Sequence, residues 1–396
     1  MNVSSGFPAH RFGVSPMALT YPASDIRKMF TLAQNRPEVV KLTVGEPDFP
    51  TPDHVKEAGI AAIRDGDTGY VANAGIPELR DALAAKYAAR WSRELTAENV
   101  VVTVGAMEAL TLALDSVVSP GKDVLVPDPA FPNYRGQLHR LGARAVTVPV
   151  REEESFKLRA RDVEAALTPR TTAIILNSPS NPLGSIMDAD DVAEIARLAD
   201  LHGFVVISDE VYDELVFDGA RNTSIAEAVP GFERFMVVNS FSKTYAMTGW
   251  RCGFVIGPAD LVAPIPLIQE GVASCLPGFV QRAALAAVTG PQDVTRQMLG
   301  AYQQRRDRIV SLLNDIEGMR ALRPEGAFYA WANVRDLGLT SWDLAARLLE
   351  EKNVAVIPGS AFGPGGEGYL RLSFASSLES IEAACAGIAE YARWRS

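Results

Sequence analysis

The chain has 396 residues, enough to bury the cores of two domains of ordinary size. Hydrophobic residues make up 47% and charged residues 22%, the balance of a soluble globular protein, and a formal net charge of −10 argues against general binding to nucleic acid or to anionic membranes. Three cysteines with no CxxC pair, four scattered histidines without zinc spacing, no signal-like apolar stretch near the start and no apolar run of spanning length lead to the expectation of a reduced, cytoplasmic protein without a metal site.

The first 50 residues show no period and are expected to be irregular. Pro52–Arg64 reads as a helix, with Thr51 able to cap it and Pro52 suited to its first turn. Short β-rich runs then recur at Val100–Val104, Asp123–Val126, Ala145–Val148, Ala173–Leu176, Phe204–Ile207, Phe235–Val238 and Gly253–Ile256. Several are apolar almost throughout, as in strands covered on both faces. Helical patterns such as Ala106–Val118 and Asp188–His202 separate many of them, so the prediction is α/β, with a mainly parallel seven-stranded sheet carrying helices on its faces. The tail changes character. A long amphipathic helix at Pro291–Ile316 is followed by strand-like Phe328–Trp331, helix Ser341–Lys352, strands Val354–Ile357 and Tyr369–Phe374, and helix Leu378–Arg393, a smaller α+β domain. The predicted division is 1–52 as a segment packing on the small domain, 53–288 as the large domain and 289–396 as the small domain.

Two motifs mislead. Gly363-Pro364-Gly365-Gly366-Glu367-Gly368 spells GxGxxG, but it precedes a strand, whereas a dinucleotide loop follows one and opens a helix, so a flexible loop is expected. Ser240-Phe241-Ser242-Lys243 spells SxxK, the nucleophile motif of penicillin-recognising acyl enzymes, but the SDN and KTG elements of that chemistry are missing.

Three polar segments lie just beyond the C-terminal ends of apolar strands: Asn177-Ser178-Pro179-Ser180-Asn181-Pro182-Leu183-Gly184, Ser208-Asp209-Glu210-Val211-Tyr212, and Ser240 through Arg251. That edge of an open α/β sheet is where ligands bind. With Gly45-Glu46-Pro47-Asp48-Phe49, the Gly69–Arg80 string and Tyr369-Leu370-Arg371-Leu372-Ser373, in this order and spacing, the chain resembles the class I/II aminotransferases, enzymes of fold type I that use pyridoxal phosphate (PLP). The resemblance runs from about Pro16 to the C-terminus.

The resemblance implies transfer of an amino group from an L-amino acid to a 2-oxo acid by a ping-pong mechanism. It places Lys243 as the Schiff-base lysine and proton carrier. Asp209 falls beside the pyridine nitrogen, where a carboxylate favours the cationic ring. Asn181 and Tyr212 fall at the phenolic oxygen, and Phe131 stacks on the ring. Gly105, Ala106, Met107, Ser240, Ser242 and Arg251 hold the phosphate, with Tyr70 reaching across to the neighbouring subunit of a homodimer. Arg371, with Asn181 and the Gly45 backbone, takes the substrate carboxylate. Relatives on this fold also run β- or γ-eliminations, ring closures and oxidations, and some transcription regulators attach it to a winged helix, for which the motifs starting at residue 45 leave no room. In some dicarboxylate-using relatives a lysine stands where this chain has Met107, so aspartate and glutamate are in doubt as specific substrates unless Arg11, Arg27 or Lys28 supplies the cation. Apolar, aromatic or specialised side chains stay open.

Overall fold

The computed structural model describes residues 13–393. Its large layer has seven strands: β1 (Val100–Thr103), β2 (Asp123–Asp128), β3 (Arg144–Pro149), β4 (Thr171–Asn177), β5 (Val205–Asp209), β6 (Phe235–Ser240) and β7 (Gly253–Ile256). They lie side by side in the order β1-β7-β6-β5-β4-β2-β3. Four neighbouring pairs are parallel, and β7 alone runs antiparallel to both its neighbours. Successive side chains of a strand point to opposite faces. Ile174, Leu176, Val206 and Val237 therefore join one apolar cluster, while Ala173, Ile175, Ile207 and Val238 join another across the sheet. Apolar residues on both faces explain why these strands read as unbroken apolar runs.

The principal helices are α1 (Asp25–Ala33), α2 (Asp53–Arg64), α3 (Pro77–Trp91), α4 (Gly105–Val117), α5 (Ala189–His202), α6 (Phe241–Thr244), α7 (Gly278–Thr289), α8 (Asp293–Asn314), α9 (Ser341–Lys352) and α10 (Leu378–Arg393). Helix α4 contributes Ala109, Leu112 and Ala113 to one face of the sheet, and α5 contributes Ile195 and Ala199 to the other. The second layer is an antiparallel sheet of β8 (Arg320–Ala321), β9 (Tyr329–Asn333), β10 (Ile357–Pro358) and β11 (Tyr369–Ser373), in the order β10-β11-β9-β8. Helices α8 and α10 pack together beside it.

The N-terminal segment departs from the expectation of irregular chain. Ser24 caps α1 by accepting from the Arg27 amide, and Met29 and Ala33 are buried. Val40–Lys41 then pairs in parallel with Val354–Ala355. Asp48 accepts two hydrogen bonds from Arg305 of α8, at 2.7 and 2.8 Å. Thr51 does not cap α2. Its hydroxyl donates to the Ala246 carbonyl at 2.6 Å and accepts from the Trp250 indole, and the helix starts at Asp53. The Gly363–Gly368 string is packed rather than loose: two tight turns lead into β11, and the Gly365 amide donates to Asp128 at 3.2 Å.

Candidate active site

Parallel strands β4, β5 and β6 end side by side at Asn177, Asp209 and Ser240. With the first turn of α4, these ends form one wall of a cleft of about 380 Å³. The opposite wall comes from α1, residues 43–45, Tyr329 of β9 and Arg371 of β11. Asn177 organises the floor. Its side-chain amide donates to the Asp209 carbonyl at 3.0 Å, and its carbonyl accepts from the Asn181 amide at 2.7 Å. The polar loop after β4 is thereby fixed to the end of β5.

Asp209 is buried at the end of β5. It accepts from the Tyr134 hydroxyl at 2.7 Å and from the Val211 amide at 3.4 Å. Burial raises its carboxyl pKa to about 6, against the pull of the Tyr134 hydrogen bond. Such a group returns to its charged form when a cation is set against it. Tyr212 is also buried, its hydroxyl 2.8 Å from that of Tyr329, and burial holds its phenol well above the ordinary value.

Lys243 stands on α6, a single turn begun by Ser240, whose hydroxyl accepts from the Ser242 amide at 3.3 Å. Its amine donates to the Gly45 carbonyl at 2.6 Å. Burial pushes the amine down to about 8; Glu46 pulls it upward, and Arg251 and Arg371 add to the downward push. Gly45 has to be a glycine for packing reasons, because a Cβ there would collide with the Tyr329 hydroxyl.

At one end of the cleft, α4 opens at Gly105 with φ +74°, leaving its first amides without partners in the preceding turn. Ala106 and Met107 follow, and Ser240, Ser242 and Arg251 line the same cleft. Arg251 is anchored by a 3.0 Å hydrogen bond to the Thr248 carbonyl. A Cβ at Gly105 would lie 2.5 Å from its guanidinium and would have to displace it, and the φ of +74° itself favours glycine. Helix amides joined by hydroxyls and a guanidinium suit a phosphate dianion. Phe131 also lines the cleft, edge-on to Tyr134 with ring centres 5.5 Å apart.

At the other end, buried Arg371 donates to Asn181 at 3.1 Å and to the Thr43 carbonyl at 2.7 Å. It stacks on Tyr329 and Phe362, 4.4 and 5.0 Å from the ring centres. Its Nε is buried with no partner, a donor left over for an incoming acceptor. Tyr70 is not brought to this cleft by its own chain; it is 92% exposed. Of the other candidate cations, Arg27 lines the cleft, Lys28 lies 4.1 Å over the Trp342 ring, and Arg11 lies outside the described residues.

Sequence reasoning missed Tyr134, Tyr329, Asn177 and Thr43. Only Asn177 carried a signal, as the polar residue that ends an apolar strand. The assembled donors fit PLP on structural grounds: a desolvated amine, a buried carboxyl, a dianion cradle whose glycine a Cβ would fill, and an unsatisfied guanidinium.

Comparison with known proteins agrees. The family model "Aminotransferase class I and II" matches residues 37–388. An aspartate aminotransferase of Pyrococcus abyssi is 40% identical over 91% of this chain and 93% of its own length. An arginine–pyruvate transaminase of Pseudomonas aeruginosa is 39% identical over 89% of each chain. The crystal structure of an aromatic aminotransferase from Pyrococcus horikoshii superposes with a TM-score of 0.88 at 38% identity, covering 93% of this chain and 99% of the other. From sequence, fold and cleft together, the chain belongs to the class I and II aminotransferases, fold type I enzymes that use pyridoxal phosphate to move amino groups between amino acids and 2-oxo acids.

Proposed function

We propose that Lys243 is the amine that condenses with the cofactor aldehyde and then moves the substrate proton, in two half-reactions that exchange the amino group of an L-amino acid with a 2-oxo acid. The carrying observation is convergence: Lys243 on α6, Asp209 at the end of β5 and Arg371 of β11 line a single cleft. PLP supplies an aldehyde for amine exchange and a cationic ring that accepts the electron pair released at the substrate Cα.

The protein supplies position and charge. Arg371 binds the α-carboxylate through its free Nε and the fork already oriented by Asn181 and Thr43. Gly45 lends its backbone to the same end. Asp209 in its charged form keeps a proton on the ring nitrogen, and the Tyr134 hydroxyl holds that carboxylate in place. Asn181 and Tyr212 would hydrogen-bond the phenolic oxygen of bound PLP, and Phe131 would stack on its ring. The amides of Gly105, Ala106 and Met107, with Ser240, Ser242 and Arg251, would hold its phosphate. Lys243, with a pKa of about 8, is partly neutral near physiological pH and able to accept a proton there. Tyr70 completes the phosphate site of a neighbouring subunit in a homodimer. In this reading the large domain spans 53–288, and the described residues before 53 and after 288 form the opposing body. No helix among the described residues is long and apolar enough to cross a membrane. A cytoplasmic location is proposed on a different ground: Cys252, Cys275 and Cys385 are free thiols, which suit a reducing compartment.

The direct test mixes the cofactor-loaded enzyme with an amino acid alone. Stoichiometric conversion of bound cofactor to its amine form, with release of one 2-oxo acid, is expected; release of ammonia with the oxo acid would point to a lyase instead. Lys243→Ala should abolish the covalent link and lower turnover by at least about 10²–10⁴-fold, the usual contribution of a positioned acid–base group. Full turnover in that variant would remove Lys243 from this role.

A further inference from the structure

We infer that Tyr329 is a positioning residue for both ends of the cleft: its hydroxyl steers the Tyr212 phenol toward the cofactor, and its ring seats the Arg371 guanidinium for the substrate carboxylate. This rests on the aminotransferase reading of the cleft and adds to it a residue that acts through two others. The strand register brings the three together. Trp331 of β9 is paired with Arg371 of β11. Tyr329 lies two residues before Trp331, so its side chain leaves the same face of the small sheet as Arg371, diagonally across the strand pair. Tyr329, Tyr212 and Arg371 are all buried, so each polar atom depends on partners inside the protein.

The two tasks fall to different atoms of one side chain. The Tyr329 hydroxyl is 2.8 Å from that of Tyr212 and has no second hydrogen-bond partner among the described residues. Each phenol carries one proton. Once Tyr212 donates its proton to the phenolic oxygen of PLP, it can only accept from Tyr329, and the Tyr329 hydroxyl is then the donor. A donor behind Tyr212 fixes the direction of its O–H and strengthens its donation, because hydrogen bonds in a chain polarise one another. The hydroxyl also fills the space that a Cβ would take at Gly45, which helps to hold it in place. The ring has the second task. Its centre is 4.4 Å from the Arg371 guanidinium carbon, while Asn181 and the Thr43 carbonyl accept from the edges of the fork. A cation is attracted to an aromatic face, more strongly where both are desolvated. Burial raises the Tyr329 phenol above its ordinary value, and the Arg371 charge works against that rise, which favours donation. Tyr302 of α8 supplies the contrast. It packs on Phe328, the residue before Tyr329, with ring centres 5.6 Å apart, and its buried hydroxyl bonds nothing among the described residues.

The experiment uses cofactor-loaded protein and separates hydroxyl from ring. The visible absorbance of bound PLP is titrated with pH, and calorimetry gives the affinity for propionate, a bare carboxylate that probes Arg371. Donation to the phenolic oxygen stabilises its negative charge and so loosens the proton it shares with the Lys243 nitrogen. Tyr329→Phe should therefore move the midpoint of the absorbance change upward by about 0.5–1 pH unit, the scale of one neutral hydrogen bond, while changing propionate affinity less than about twofold. Tyr329→Leu, which also loses the ring, should in addition weaken propionate binding by about 3- to 10-fold. On a Tyr212→Phe background, Tyr329→Phe should shift the midpoint no further, the mark of a residue acting through Tyr212. Tyr302→Phe should move neither quantity. An unmoved midpoint in Tyr329→Phe, an equal shift on the Tyr212→Phe background or in Tyr302→Phe, or full propionate affinity in Tyr329→Leu overturns the assignment. Natural protein that never acquires a visible cofactor band would instead reject the Lys243 reading on which it rests.

Discussion

Arg371 shows how much can depend on one guanidinium. Two of its three nitrogens are occupied by Asn181 and Thr43, and the third is buried with nothing to bind. A lysine in its place would keep the charge and lose the fork. Arg371→Lys should therefore raise KM for amino acid and oxo acid more than about tenfold, with a smaller effect on kcat; steady-state kinetics with both substrates would check this. Lys243 gives a pH signature. Its amine is held at about 8, below its usual value, so it is protonated below pH 8 and a free nucleophile above. Uptake of PLP by the apoenzyme should accelerate as the pH rises through about 8 and then level off, followed by absorbance in stopped flow. A rate independent of pH between 7 and 9 would contradict the burial described for this amine.

Behind the cleft, α3 is tied to the chain leaving β5. Asp213 accepts from Arg90 at 2.9 Å and from the Tyr87 hydroxyl at 3.2 Å, and Tyr87 in turn accepts from Asn239 of β6 at 2.9 Å. The Asp213 side chain is 2% exposed and that of Arg90 27%. Removing the arginine takes away the largest charge compensating a buried carboxylate. Arg90→Leu should cost about 2–3 kcal/mol, somewhat under the range for breaking a fully buried pair, measured as a lower denaturant midpoint. None of this could be read from the sequence, because α3 and the chain after β5 meet only through tertiary packing. What the sequence did disclose follows from local physics. Apolar runs marked β1 to β7, and the polar segments beyond them marked the stretches that carry Asn181, Asp209 and Lys243, while the roles of those residues came from the family resemblance. Tyr134 and Tyr329 escaped because an aromatic in a loop or on a strand looks the same whether it packs or bonds a functional group. The expected Thr51 cap failed because its hydroxyl found a carbonyl on a distant segment.

For the whole molecule, the main expectation concerns association. Tyr70 is 92% exposed in the single chain, a large aromatic with no packing role of its own. If it reaches a neighbour's phosphate site, sedimentation should give a dimer at micromolar concentration, and Tyr70→Phe should weaken PLP retention about tenfold without changing the dimer. A monomer with full cofactor affinity would rule this out.

The pairing of Val40–Lys41 with Val354–Ala355 bears on the order in which the protein is made. Every strand of the large sheet has left the ribosome by Ile256, and domains tend to fold as they emerge. The N-terminal strand, though synthesised first, has no partner until residue 354 appears, and Arg371 comes later still. Half of the cleft is thus withheld from a nascent chain, so PLP meets a completed pocket only after residue 371 has been made.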